Sequence, residues 1–345
     1  MMLKQRWQSL QQAEPKLRIR DAAQRLNVSE LELLETRSGI EVTRLSTNPK
    51  QLVSSLHRLG RVMSLVRNNA CVHETRGRFA EYTGGNADVG LFLGEQDLRM
   101  FFKYWNHMYS VTQDQRRSIQ VFDQSGTAVI KFYAQEDTDM SAWEALVSAL
   151  QHEDQTTPTS VQPYPAADIP SSNGTAEELT ARWLAMTDIH QFHGILKDMG
   201  ISRQQAFEWV DDQYACQLEN NAIEHVFTEA CHDNIPTIEF VHNRGAVQIH
   251  TDVNINLVRM GAWFNVMDPN FTLHLDTSLI HQVWALRRPA DSGMVSSIEA
   301  LDQHGNVILQ LFGKRTEGQP ERYDWQSLVL ECMARHAIQK EVTKV

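Results

Sequence analysis

The sequence has no long run of lysine and arginine, and its formal net charge is −11 over 345 residues. Nonspecific binding to nucleic acid or to an anionic membrane surface depends on a basic footprint, so neither is expected. An anionic ligand would need a locally built basic pocket. No apolar stretch is long enough to cross a bilayer, and the start, Met1-Met2-Leu3-Lys4-Gln5-Arg6-Trp7, turns polar at once. A soluble cytoplasmic protein without membrane insertion is therefore expected. Cysteine is scarce. Cys71, Cys216, Cys231 and Cys332 are scattered without any C-x-x-C spacing, which fits reduced structural thiols better than a disulfide framework or a zinc knuckle.

What is present is a chain longer than one usual domain. The stretch 151–174 carries Pro158, Pro163, Pro165 and Pro170 among Thr, Ser, Gln and Asp, and reads as an extended linker. On either side the chain repeats itself. Val72-His73-Glu74-Thr75-Arg76-Gly77 faces Val241-His242-Asn243-Arg244-Gly245. Ser118-Ile119-Gln120-Val121-Phe122-Asp123-Gln124-Ser125-Gly126 corresponds to Ser297-Ile298-Glu299-Ala300-Leu301-Asp302-Gln303-His304-Gly305. Apolar strands follow both, so each is expected to be a hairpin turned at Asp-Gln-x-Gly, and both repeats end in a Trp-bearing segment, around Trp143 and Trp325. The predicted fold is α+β, an internal duplication in which each half has leading helices and a large antiparallel sheet. The halves are 1–150 and 175–345.

The helical openings correspond as well, Leu26-Asn27-Val28-Ser29-Glu30 with Met199-Gly200-Ile201-Ser202-Arg203. Helix, turn, Ser cap, helix also describes a helix-turn-helix. The second helices, Glu30 to Glu35 and Arg203 to Asp211, are acidic or mixed rather than basic, so two helices packed on a sheet suffice. Leu179, Trp183, Met186, Ile189, Phe192, Ile195, Leu196 and Met199 recur at helical spacing. His190 and His193 share that segment, expected to be helical, and would project from one side. Such a pair suits either the edge of a buried stripe or a ligand. Aligning the repeats puts His190 opposite Leu17, so the pair belongs to the second copy alone. Asp97–Trp105 is expected opposite Val258–Trp263; Arg99 in the former is flanked by bulky apolar residues.

Several runs carry a family resemblance: Ala185-Met186-Thr187-Asp188-Ile189-His190-Gln191-Phe192, Ser202-Arg203-Gln204-Gln205-Ala206-Phe207, Asn243-Arg244-Gly245-x-Val247-Gln248-Ile249, Phe271-Thr272-Leu273-His274-Leu275 and Arg315-Thr316-Glu317-Gly318-Gln319-Pro320-Glu321. Nearly the whole chain resembles the haemin-degrading and haem-trafficking proteins of the HemS, ShuS and ChuS type. The resemblance implies haem as cofactor or substrate, with His190 holding the iron and Arg99 as a distal and catalytic arginine beside Phe101. It also implies Arg203, Arg288 and Arg315 near the propionates. Two departures stand out: Phe312-Gly313-Lys314-Arg315 replaces the frequent Tyr-Gly-x-Arg, and His193 stands where Phe is frequent. Haem is a wide apolar disc with a cationic centre and two edge carboxylates, so an imidazole, aromatic walls such as Phe101, Phe102 and Met186, and Arg forks suit it. With Arg99 in the first half and His190 in the second, the site is expected in the cleft between halves.

Two functions use these residues. One is an enzyme that opens the porphyrin ring with oxygen and an external electron donor. The other is a carrier that passes intact haem to an acceptor protein. A bare divalent metal held by His190 and His193 is a third reading, but no carboxylate or cysteine partner is placed for it.

Overall fold

Two short helices joined by one left-handed residue open each repeat. In a computed structural model that describes residues 2–84, 88–165, 172, 174–316 and 318–338, α2 (Ile19–Leu26) ends at Asn27 with φ 54° and α3 (Glu30–Glu35) starts at the Ser29 cap; α1 (Leu3–Ala13) precedes them. In the second repeat α6 (Ala176–Leu184) and α7 (Gln191–Met199) lead to Gly200 with φ 60°, and α8 (Arg203–Trp209) starts at the Ser202 cap. Both turns close alike. Val28 N donates to Ala23 O and Ile201 N to Leu196 O, satisfying carbonyls at the helix ends.

The chain divides into two units. Unit 1 comprises Met1–Arg67, Glu74–Ala166 and Asn243–Gln248; unit 2 comprises Asn68–His73, Ala167–His242 and Ile249–Val345. In unit 1 the strands are β1 (Val42–Leu45), β2 (Gly60–Arg67), β3 (Cys71–Arg78, from Glu74 onward), β4 (Val89–Phe92), β5 (Asp97–Phe101), β6 (His107–Gln113), β7 (Arg116–Phe122) and β8 (Ala128–Thr138), with α4 (Pro49–Ser55) and α5 (Met140–Leu150). The order β1-β6-β7-β8-β2-β3 is matched in unit 2 by β9-β15-β16-β17-β10-β11. These are β9 (Ala215–Leu218), β10 (Thr237–His242), β11 (Ala246–Asp252, from Ile249 onward), β15 (Gln282–Ala290), β16 (Gly293–Leu301) and β17 (Val307–Gly313). Unit 2 adds α9 (Ala222–His232), β12 (Leu257–Met260), β13 (Trp263–Met267), β14 (Phe271–Asp276) and α10 (Tyr323–His336).

The Asp-Gln-x-Gly hairpins form as the motif requires. Asp123 Oδ1 accepts from Ser125 N and Thr127 N, Asp302 Oδ1 from His304 N and Asn306 N, and Gly126 and Gly305 both sit at φ 76°. Trp143 and Trp325, on α5 and α10, are buried in their own unit's core; burying a large apolar side chain contributes roughly 1.5–3 kcal/mol. Gly313 is obligatory, because a Cβ there would stand 2.3 Å from the Trp325 ring.

A second matched pair of turns holds each unit together. In unit 2, Asn68 Oδ1 accepts from Ala70 N and Cys71 N, and its amide donates to Ile308 O at 2.7 Å. In unit 1, Asn243 Oδ1 accepts from Gly245 N and Ala246 N, and its amide donates to Val129 O at 2.7 Å. Beside them, Asp276 N donates to Ala70 O in unit 2 and Phe101 N to Gly245 O in unit 1. Phe101 therefore corresponds to Asp276, and β5 to β14. This corrects the expected pairing of Asp97–Trp105 with Val258–Trp263, and it makes His274 the counterpart of Arg99. Strand pairing set the correspondence, and it is invisible in local spacing.

The expected continuous helix through the histidines is also corrected. Its apolar stripe is real: Leu179, Trp183, Met186, Phe192 and Met199 share one buried cluster. The helix, however, breaks between Leu184 and Gln191. Asp188 Oδ1 accepts from His190 N at 2.8 Å, and the Gln191 side chain accepts from Thr187 N at 2.9 Å; such local side-chain bonds outcompete the helical ladder. The first part of the linker is extended but tied down, with Thr159 and Tyr109 bonded to Glu35 and Gln155 bonded to Arg44; Pro170 lies outside the described residues. All four cysteines are free thiols. Among the described residues, no helix is long and apolar enough to cross a membrane.

Candidate functional site

The break before α7 places His190 at the N-cap, with its side chain 72% exposed. Its Nδ1 lies 2.7 Å from Asp188 Oδ1. An ionised carboxylate only accepts, so in the neutral ring Nδ1 carries the proton and Nε2 the lone pair. Asp188 is held below the ordinary carboxylate range by the His190 backbone N–H first, then by the imidazole and by the Arg315 charge. A carboxylate that fixes the tautomer and aim of an imidazole is the outer partner of a metal-binding histidine. His193, three residues into α7, is also exposed.

Next to this end of α7 lies a charged cluster in an aromatic setting. Arg203, the first residue of α8, donates to Glu299 Oε2 at 2.8 Å, and Arg288 on β15 donates to Glu299 Oε1 at 2.6 Å and to Ser297 at 2.7 Å. Glu299 is 0% exposed and Arg288 4%. Burial pushes the Glu299 carboxyl up, but the charges of Arg203 and Arg288 outweigh burial and hold it low. Both guanidiniums face rings: Arg203 lies 5.2 Å and Arg288 5.4 Å from the centre of Phe192, and Arg288 lies 5.7 Å from that of Phe312. Cation–π attraction of this kind is strengthened by desolvation. His242 lies near enough to Arg203 that burial and that positive charge both lower its imidazole.

Unit 2 thus brings together Arg203, Arg288 and Phe312 around Phe192, two residues along the chain from His190, with Arg315, half-buried after β17, near Asp188 and Glu321. Arg315 Nε is buried without a hydrogen-bond partner. Met186 is buried in the helical cluster. Arg99 and Phe101 are on β5 in unit 1. Arg99 is exposed opposite Leu91, and Phe101 is half-buried. His73 is fully buried against Phe271, 4.8 Å between ring centres. Among the described residues, no group of three or more His, Cys, Asp or Glu is placed to hold a bare metal ion.

Sequence reasoning missed Asp188 and Glu299. Asp two residues before His190 is a recognisable Asx-turn signal. The alternation Ser297-x-Glu299 on a largely apolar strand was also there to be read, although not the arginines that meet it.

A duplicated α+β unit with an exposed imidazole held by a carboxylate at a helix start, and a buried arginine–glutamate cluster packed on that helix, defines the class. The chain belongs to the haemin-degrading HemS.ChuX domain family, whose model matches residues 27–150 and 200–332. It is 38% identical over 326 residues to the hemin transport protein HmuS of Yersinia pestis, covering 90% of this chain and 91% of the relative. Among solved structures it resembles apo-PhuS, a heme-binding protein from Pseudomonas aeruginosa, with TM-score 0.92 and 39% identity over 95% of this chain and 98% of that one. ChuS, described as an E. coli heme oxygenase, matches with TM-score 0.87 and 34% identity over 96% and 99%.

Proposed function

We propose that this chain binds haem through His190 in the cytoplasm and, with electrons from an external donor, opens the ring and releases the iron. The observation that carries the reading is the exposed imidazole whose Nδ1 is held by Asp188, leaving Nε2 for a metal. The residues present suit the group: one imidazole, the rings of Phe192 and Phe312, and the cations Arg203, Arg288 and Arg315 for a flat apolar disc with two edge carboxylates. Bound haem supplies the redox-active iron. The chain's own contribution would be to hold the Nδ1 proton of His190, to pair with the propionates and, through Arg99, to donate hydrogen bonds to the bound group.

Arg203 and Arg288 are already committed to Glu299, so the propionate role falls most directly to Arg315. Charge-assisted contacts of this kind contribute on the order of 1.5–3 kcal/mol, so Arg315→Ala should weaken haem roughly ten- to a hundredfold. Titration at the Soret band measures it, and haem dimethyl ester should bind the wild type poorly.

The main test follows the Soret band and iron release after haem-loaded protein receives reductant in air, with catalase present to remove free peroxide. His190→Ala should shift the Soret maximum and weaken binding, while His193→Ala does much less. In Arg99→Ala the rate of ring opening should fall far more than the affinity, because the charge it stabilises develops during the reaction. Unchanged spectra and stoichiometry in His190→Ala would sink the assignment. The carrier reading has its own support, since the Yersinia relative is called a transport protein. Haem that survives the assay intact and passes to apomyoglobin would establish that reading over the enzyme.

A further inference from the structure

Unit 1 contains a cavity of about 760 Å³, large enough for a small organic molecule. Residues of β2, β8 and the start of α2 line it, among them Arg18, Arg20, Met63, Arg67, Lys131 and Tyr133. Through the internal repeat several of these positions match the histidines and Phe312 of unit 2. Leu17 stands at the His190 position, Arg20 at His193, Arg67 at His242 and Tyr133 at Phe312. Three imidazole positions have become one leucine and two guanidiniums. A neutral imidazole offers a lone pair to a metal, whereas a guanidinium has only donors and a fixed positive charge.

The charge of the wall points the same way. Eight Lys and Arg line the cavity against Glu30 and Glu74, in a chain whose formal net charge is −11. Lys131 pairs with Glu30, Arg76 with Glu74, and Arg37 with Glu41, and Asp21 and Glu30 act on Arg20 and Arg67; eight cations against these acids still leave an excess of positive charge. Burial lowers the Arg67 guanidinium to about 10, and the neighbouring Arg20 charge pushes the same way. Like charges crowded in a partly dry space destabilise the ligand-free protein, and an entering anion offsets that cost. The eight-residue helix α2 begins at this wall and its N-cap, Arg18, supplies no side-chain cap, which adds the positive end of the helix dipole. Trp7, Leu17, Ile19 and Leu65 add apolar surface.

We infer that this cavity binds an organic polyanion carrying at least two carboxylate or phosphate groups, held by guanidinium forks without metal coordination. The inference stands independently of haem binding by unit 2. Guanidinium pairs with carboxylate and phosphate alike, so the test separates the two. Calorimetric titration of the full chain at low salt would use mellitate as the polycarboxylate and inorganic tripolyphosphate as the polyphosphate. One site per chain is expected, weakening steeply with salt; the tighter probe identifies the anion type. Arg20→Gln and Arg67→Gln should each weaken binding about tenfold or more. Arg116→Glu at the exposed rim should weaken it similarly without burdening the fold, and Arg182→Gln on α6 should leave it unchanged. The inference is overturned if neither probe binds at millimolar concentration, or if Arg116→Glu binds both probes as tightly as the wild type.

Discussion

The two repeats use one scaffold to keep two different kinds of charge. In unit 2 the arginines close on a carboxylate, Arg203 and Arg288 on Glu299, and the free donor is an imidazole held by Asp188. In unit 1 the corresponding helix and strands carry a cationic cavity in which the glutamates are outnumbered. A duplication therefore preserves the geometry of a site while its chemistry drifts. Counting repeats identifies where to look, and the side chains alone say what is bound.

The largest effect that would break this comparison concerns the buried ion groups. Removing one partner of a buried pair costs about 3–5 kcal/mol because the other charge is stranded. Glu299→Gln should reach that range in urea unfolding, since it strands two guanidiniums at once. Lys131→Met should cost roughly half as much or less, because Glu30 keeps the nearby positive charges of Arg20 and Arg67. Equal losses would mean that the unit 1 cations do not share a field.

A middle-sized effect compares two buried carboxyls within unit 2. Glu239, bonded to Thr237 and Asn254 and with Oε2 unpartnered, is pushed up to about 7 by burial, whereas Glu299 is held low by its arginines. The folded chain keeps the Glu239 proton that the unfolded chain has released. Its contribution to stability therefore falls as pH rises from about 4.5 to about 7 and is level above that. Glu239→Gln should remove this slope, leaving the variant on the order of 1–3 kcal/mol more stable than wild type at pH 8 and little different at pH 4.5. Parallel stability curves for the two proteins would refute it.

The smallest effect is at the cavity rim. Arg116→Gln removes one exposed cation from a crowded set and should raise stability by about 0.5 kcal/mol at low salt. The gain should vanish near 0.5 M salt as screening shortens the range of repulsion. A gain that persists at high salt would point to packing instead of charge.

What could be read from the sequence was what short-range chemistry determines. Asp123 and Asp302 announced their hairpins because an Asx side chain and a glycine act within five residues. Asn27 and Gly200 announced helix ends for the same reason. The break at Asp188 was legible in principle but was masked by an apolar stripe that continues across it. The correspondence of Phe101 with Asp276 across the repeat, and the particular arginine that meets Glu299, Arg203 at 96 positions' distance, could not be read. Each depends on sheet register, which no local spacing encodes. The candidate ligands were accordingly nameable as residue types, while their partners appeared only in the fold.

The asparagine turns carry a consequence for synthesis. Trp105 Nε1 donates to Gly245 O at 3.0 Å, and Gly245 packs so tightly on Val129 that a Cβ would stand 2.6 Å from it. As a nascent chain leaves the ribosome, unit 1 must wait for its last strand piece until residue 248 has emerged, some eighty residues after the rest of that unit is made. During that interval its indole and strand edge have no native acceptor. Order of translation and order of completion therefore differ, and the first-made unit is finished from within the second.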